Sequence, residues 1–421
     1  MIGSVRGAFV NYVADPARAS PINRAVARVL LGAFLLWKVL SLEWAALAEW
    51  PFVIADAYTA FDHELLWILL PYQQWLLAGL LLVFIAGYRT KWVGLASALV
   101  LAQMALMRSM IYYSGQVETL FIASYFLLVL SLFPEPDRLS VDGLRETRTR
   151  SIHELNAFLK GDDHREYRMT GLAVSLVIVS IIYVGAAWGK VLVSGLEWIT
   201  AENLGRYVLY YREIGGVSHP AGEFVVQYPE LLFAGVWGTI VLEVALLPAV
   251  LLKRDITAVA AGLIGLHLAI IAMLGLYFLG NVVFLLLFLA WDRLYAAIAR
   301  DSTEGVDLVY DERCYFCARS LYPFKLLDVN RSVNFYTQSN APEEYGEMEG
   351  VDYEERMYLF REGEPYGGYE AFRQLIRQFR VFAPVALAMA FLPVRAVGER
   401  VYGYVADNRS RYFVCSVEDA D

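Results

Sequence analysis

The chain has 421 residues, 58% hydrophobic and only 19% charged, with a mean hydropathy of +0.46. That is too apolar for an ordinary soluble domain and too long for one core, so a membrane part joined to a soluble part is expected. The formal net charge is −9, and residues 301–421 hold 21 Asp and Glu against 13 Lys and Arg, so the acidity sits in the tail and argues against nucleic acid as a partner.

Residues 1–20 are mixed, with Arg6, Asp15, Pro16 and Arg18. They lack the compact apolar stretch and small-residue site of a cleavable signal, so targeting is expected from the first membrane helix. Apolar segments long enough to span, at about 20 residues per crossing, follow at 24–48, 65–87, 92–110, 117–133, 170–190, 229–252, 256–275 and 277–294. Gly275, Gly280 and Asn281 divide the last two, which gives about eight spans, with seven as the rival count. Arg18, Arg24 and Arg28 precede the first segment, and Arg89 and Lys91 join the second to the third. Arg138, Arg145, Arg148, Arg150, Lys160, Arg165 and Arg168 join the fourth to the fifth, and Lys253 and Arg254 the sixth to the seventh. Residues 49–64 hold no Lys or Arg. The positive-inside rule then places both termini in the cytoplasm of a multi-pass plasma-membrane protein with the lipid bilayer as its first partner.

The fifth segment ends in Tyr183-Val184-Gly185-Ala186-Ala187-Trp188-Gly189-Lys190, followed by Ser194-Gly195-Leu196-Glu197-Trp198. The chain has six lysines against 29 arginines, so Lys190 stands out. It either snorkels to the headgroups or, desolvated, serves as a general base. Glu243 is an intramembrane carboxylate, a functional candidate that could also simply pair with His267. His267 lies mid-span, either bonded to a neighbouring helix or facing a cofactor. The aromatic residues read first as interfacial anchors, with Trp188 and Trp198 the candidate stacking surfaces for a bound ring.

The tail begins near 301–305, which divides the chain into 1–300 and 301–421. A β-branched strand at 306–310 leads into Cys314-Tyr315-Phe316-Cys317, which opens a helical pattern to about Leu327. Strand-like runs follow at 333–336 and 357–360, then a turn at 363–368 and helical periodicity at 369–380 and near 397–407. A cysteine at a helix start meets unpaired backbone N–H groups that favour its thiolate, the reactive form. In the cytosol such a pair is catalytic, redox-sensing, metal-binding or inert. Structural zinc wants four ligands, yet the only other cysteine is Cys415 and no histidine follows His267, so no metal site is expected. The acids of 343–355 read as a solvated loop.

Tyr310-Asp311-x-x-Cys314-x-x-Cys317, Gly367-Gly368-Tyr369-Glu370-Ala371-Phe372 and Asn408-Arg409-Ser410-Arg411-Tyr412 together resemble the DCC thiol–disulfide oxidoreductase family over about 110 residues. The resemblance implies a small α/β thioredoxin-like domain with Cys314 attacking, Cys317 resolving and Asp311 shaping the site. Glu312 stands where the family usually has glycine, and its charge raises a neighbouring thiol's pKa. The Tyr183–Lys190 and Ser194–Trp198 phrases, Asp137-Arg138-Leu139-Ser140-Val141-Asp142-Gly143, and Leu266-His267 ahead of 275–283 resemble the horizontally transferred transmembrane (HTTM) domain of vitamin K-dependent gamma-carboxylase, over about 20–295. That resemblance implies Lys190 as a base toward a quinol; His267, Glu243, Trp188 and Trp198 are the candidate cofactor-binding residues beside it in the sequence reading. The carboxylase's supporting histidine has no counterpart in Gly115-Gln116-Val117-Glu118-Thr119, which favours a quinone or lipid-like ligand over protein carboxylation.

The expected molecule is a polytopic all-α membrane domain followed by a thioredoxin-like domain that exchanges thiols for disulfides. Thiol exchange needs no cofactor; a quinone or quinol is the membrane domain's candidate. A redox protein or small thiol reductant is the further partner expected. Two alternatives stand beside it: a quinol-dependent carboxylase or oxygenase with a regulatory redox tail, and a non-enzymatic lipid-binding or scaffold protein.

Overall fold

The computed structural model describes residues 20–44, 64–111, 115–133, 137–161, 169–215, 219–298, 305–345, 351–353 and 355–412. The N-terminal stretch 1–19, the linker residues 301–304 and Cys415 lie outside the described residues. The chain is mostly helical and divides into two compact units, residues 1–137 with 167–290, and residues 138–166 with 291–421.

The first unit holds α1 (Pro21–Ser41), α2 (Glu64–Ala86), α3 (Thr90–Ile111) and α4 (Gly115–Leu132). In the second unit, α5 (Val141–Glu146) and α6 (Ile152–Lys160) follow. The first unit resumes with α7 (Thr170–Ser194), α8 (Ala201–Gly215), α9 (Pro220–Val226), α10 (Pro229–Leu251), α11 (Thr257–Leu274) and α12 (Leu279–Leu286). Ser20 caps α1, its hydroxyl accepting the Ile22 N–H at 3.3 Å, and Pro21 sits in the first turn, where its missing N–H has no partner to lose. Leu31, Leu35, Leu81, Leu101, Met104 and Phe126 build the core of this unit. A buried ion pair joins Arg28 of α1 to Asp137 at 2.6 Å.

All eight apolar segments of the sequence contain helix. Among the described residues, five helices are long and apolar enough to cross a bilayer: α2, α3, α7, α10 and α11. The 277–294 segment, expected as one span, is two short helices, α12 and α13 (Trp291–Ile298), which count as a span only if taken together. Asp292 and Arg293 end its apolar run, and the eight residues of α12 alone reach only about 12 Å against the ~30 Å of a hydrocarbon core.

The second unit continues with β1 (Val306–Tyr310), α14 (Tyr315–Leu327), β2 (Val333–Thr337), α15 (Ala341–Tyr345), β3 (Tyr358–Arg361), β4 (Glu364–Gly367), α16 (Tyr369–Gln378), α17 (Ala383–Ala390) and α18 (Leu392–Tyr412). The four strands form one mixed sheet in the order β2-β1-β3-β4. β1 runs parallel to β2, Leu308 opposite Phe335, and antiparallel to β3, Leu308 opposite Leu359. Alternation divides the side chains: Val306, Leu308, Tyr310, Val333, Phe335 and Leu359 pack with α14 and α16, while Val309, Tyr358 and Phe360 face the other way. On that second face Tyr345 stacks on Phe360 at 4.2 Å.

Two features differ from the sequence reading. Part of the stretch 363–368, expected as a turn, is the strand β4; the turn itself is Glu362-Gly363, with φ of +55° and +82°. Two left-handed residues make the tight reversal whose twist matches antiparallel strands, and Pro365 is tolerated because β4 is an edge. The second feature is α6. Its Leu155, Phe158 and Leu159, spaced i, i+3, i+4, are buried in the same core as the sheet, with Phe158 4.6 Å from the Tyr322 ring. Ser151 and Glu154 form a reciprocal capping box at its start, and Gly161 in the left-handed region ends it.

Candidate functional site

β1 ends at Tyr310 and the chain turns through Asp311-Glu312-Arg313 into α14. Asp311 builds that turn: its carboxylate accepts the Arg313 N–H at 2.9 Å, and its carbonyl accepts the Cys314 N–H at 3.2 Å. Cys314 is the N-cap of α14, and its Sγ accepts the Cys317 N–H at 3.2 Å. A donor of this kind at a helix start stabilises negative charge on sulfur. The two cysteines are joined as a disulfide with Cα atoms 5.2 Å apart. Cys314 is 1% exposed, whereas Cys317 is half-buried.

Residues from the 138–161 segment surround this turn, a contribution the sequence reading did not anticipate. Asn156 of α6 donates from Nδ2 to the Glu312 carbonyl at 2.9 Å and accepts the Tyr310 hydroxyl at 3.0 Å. Tyr310 is fully buried, and burial, followed by the charge of Glu312, pushes its hydroxyl pKa up. On the helix side, the Tyr315 hydroxyl donates to the Thr147 carbonyl. Arg319 donates to the Thr147 hydroxyl at 2.9 Å and the Leu144 carbonyl at 3.1 Å. One carboxylate oxygen of Glu312 is buried without a hydrogen-bond partner. The available signal in the sequence was the amphipathic spacing of α6 inside an otherwise basic connection.

The membrane-type unit holds a separate polar cluster. Lys190 of α7 contacts both carboxylate oxygens of Glu243 on α10, at 2.6 and 2.7 Å, and lies 5.4 Å from the Trp198 ring. Seven residues earlier on α7, the Tyr183 hydroxyl is 2.7 Å from Nε2 of His267 on α11. The His267 ring stacks on Phe278 at 5.4 Å, and its buried Nδ1 has no hydrogen-bond partner. Glu243 thus pairs with Lys190 instead of His267, and His267 bonds to a neighbouring helix. Lys190, Glu243 and Trp198 are brought together, while Trp188 is 63% exposed. Tyr183 was not singled out in the sequence; its tie to His267 spans 84 positions. No group of three or more His, Cys, Asp or Glu that could hold a metal occurs among the described residues.

Residues 308–415 match the family model of the DCC1-like thiol-disulfide oxidoreductases. The search of curated proteins and the search of solved structures each returned no match.

Proposed function

We propose that this chain is a membrane-anchored thiol–disulfide oxidoreductase, its two-electron chemistry carried by Cys314 and Cys317. The observation that carries the reading is the cysteine pair at the start of α14, directly after β1, inside the stretch that matches the oxidoreductase family. The β-α-β then β-β-α order supports a thioredoxin-like domain, and the apolar helices support the anchor. With both thiols reduced, one thiolate attacks a substrate disulfide and releases one substrate thiolate. The second thiolate then attacks the resulting mixed disulfide, releases the other substrate thiol and leaves Cys314–Cys317 oxidised. A thiol reductant or redox protein on the cytoplasmic side reverses the sequence.

The test uses the full chain in lipid nanodiscs, with Cys415→Ser, equilibrated against glutathione and quenched by alkylation. A reversible couple between roughly −120 and −270 mV is expected, the range of working thiol oxidoreductases. Absence of a disulfide at every poise would refute the reading. Trapping in Cys314→Ser and Cys317→Ser then reads which sulfur carries the mixed disulfide; Cys314 has the cap and Cys317 the exposure.

As a second reading, we propose that the polar cluster handles a quinol, the role that the sequence resemblance to an HTTM-type carboxylase implies for Lys190. Its support is the convergence of Lys190, Glu243, Tyr183 and His267, with Nδ1 of His267 left unpartnered. A ubiquinol or menaquinol analogue should bind the full chain and lose affinity in Lys190→Ala; equal binding to both proteins sinks it.

A further inference from the structure

After α16 the chain enters a run of fourteen uncharged residues, 381–394, reading Val-Phe-Ala-Pro-Val-Ala-Leu-Ala-Met-Ala-Phe-Leu-Pro-Val. It folds as α17 and the first turn of α18, whose axes are bent by 94° at Phe391. At the bend Leu387 is 75% exposed, Phe391 65% and Leu392 78%, in line with further exposed valines at 381, 385, 394 and 397. A contiguous apolar surface of this kind marks a docking site.

Its base, by contrast, is tied to the sheet unit. Ala386 is buried, and the Tyr369 hydroxyl donates to the Met389 carbonyl at 3.1 Å. Gly398 lets the Tyr369 ring lie directly on α18, where a Cβ would collide with it. The Met357 N–H reaches the Tyr402 hydroxyl at 3.4 Å. The α17–α18 pair is therefore held along one side, while Leu387, Phe391 and Leu392 stay uncovered.

Charge selects the occupant. Arg377 and Arg380 precede the apolar run and Arg395 and Arg400 follow it, with Arg395 paired to Glu399 at 2.8 Å; residues 370–400 hold five Arg against two Glu, in a tail whose net charge is −8. An apolar tip collared by arginines complements the acyl–headgroup boundary of an anionic leaflet. Eight residues of α17 reach about 12 Å, too short to cross and long enough to lie in the interface. We propose that the α17–α18 hairpin is a bilayer-dipping element that docks the sheet unit on an anionic lipid surface through Leu387, Phe391 and Leu392. The proposal does not rest on the thiol reading.

The test again uses the full chain, with Cys314, Cys317 and Cys415 changed to Ser and a single NBD label at Leu387→Cys or Phe391→Cys. Glu364→Cys on the edge strand is the water-exposed control. In nanodiscs of phosphatidylcholine with phosphatidylglycerol, a nitroxide on the lipid acyl chain should quench labels 387 and 391 at least about two-fold more than label 364. Removing phosphatidylglycerol, or changing Arg377, Arg380, Arg395 and Arg400 to Gln, should reduce that difference. Water-like emission at both sites overturns the proposal. So does blue-shifted emission without lipid quenching, which would assign the surface to the helical unit or to a second copy. Both labelled positions are exposed, so neither substitution removes core packing.

Discussion

Asn156 is the residue on which the geometry of the thiol turn depends, because one side chain satisfies both the Glu312 carbonyl and the Tyr310 hydroxyl. Asn156→Ala leaves two part-buried polar groups unpaired, at a cost of about 1–3 kcal/mol. Hydrogen exchange of the β1 amides in the full chain should show it, along with faster alkylation of Cys314 in a Cys317→Ser background; unchanged exchange and alkylation would make Asn156 a bystander. Glu312 acts through charge. An anion two residues before Cys314 disfavours the thiolate, so Glu312→Gln should move the pH midpoint of Cys314 alkylation downward. An upward or absent shift would mean that its carboxylate does not sense the sulfur. Cys314 and Cys317 stood out in the sequence because their signal is local, a strand end followed by a cysteine pair at a helix start, whereas Asp311 entered through the family resemblance and its Asx turn is visible only in the structure. Asn156 was not, since its partner lies 156 positions away and no local pattern announces a side chain that bridges such a gap.

At the scale of elements, α6 supplies core to a sheet it is far from in sequence. Phe158 fills the space against Tyr322, so Phe158→Ala should cost about 3–5 kcal/mol and lower protection in β1 and β2. Confinement of the loss to α6 itself would show that the helix is an ornament on the sheet. The Glu370 carboxyl anchors the first turn of α16. Burial alone would raise its pKa, but hydrogen bonds from Arg373 and Gln374 and the Arg373 charge more than offset this and hold it below the ordinary value. A depressed carboxylate contributes stability that is present above its unfolded pKa, near 4.5, and lost as pH falls through the folded value. Glu370→Gln should therefore flatten the loss of stability below pH 4.5, read by acid titration of α16 amide protection. An identical acid limb in the variant would remove Glu370 from the account. β4 escaped the sequence reading because Pro365 and Gly367 lie in it and Gly363 and Gly368 flank it; edge pairing with β3 makes a strand of residues whose composition reads as turn.

On the scale of the whole molecule, the thiol unit is assembled from two stretches of chain, 138–166 and 291–421, with the helices from α7 to α12 inserted between them. The apolar helices were legible because runs of apolar residues are one-dimensional signals, whereas co-assembly of distant stretches is not. A fragment that starts at residue 301 lacks Leu155, Phe158 and Leu159, and so exposes the sheet face they cover. Expressed alone, 301–421 should bind a hydrophobic dye and show weak amide protection in β1 and β2; joining 138–166 to it through a flexible linker should restore protection. Full protection in the short fragment would show that α6 is dispensable. The order of synthesis adds a kinetic consequence. α6 is made long before β1, so its apolar face waits through the production of the seven helices α7 to α13, and the closing contact is of high sequence separation.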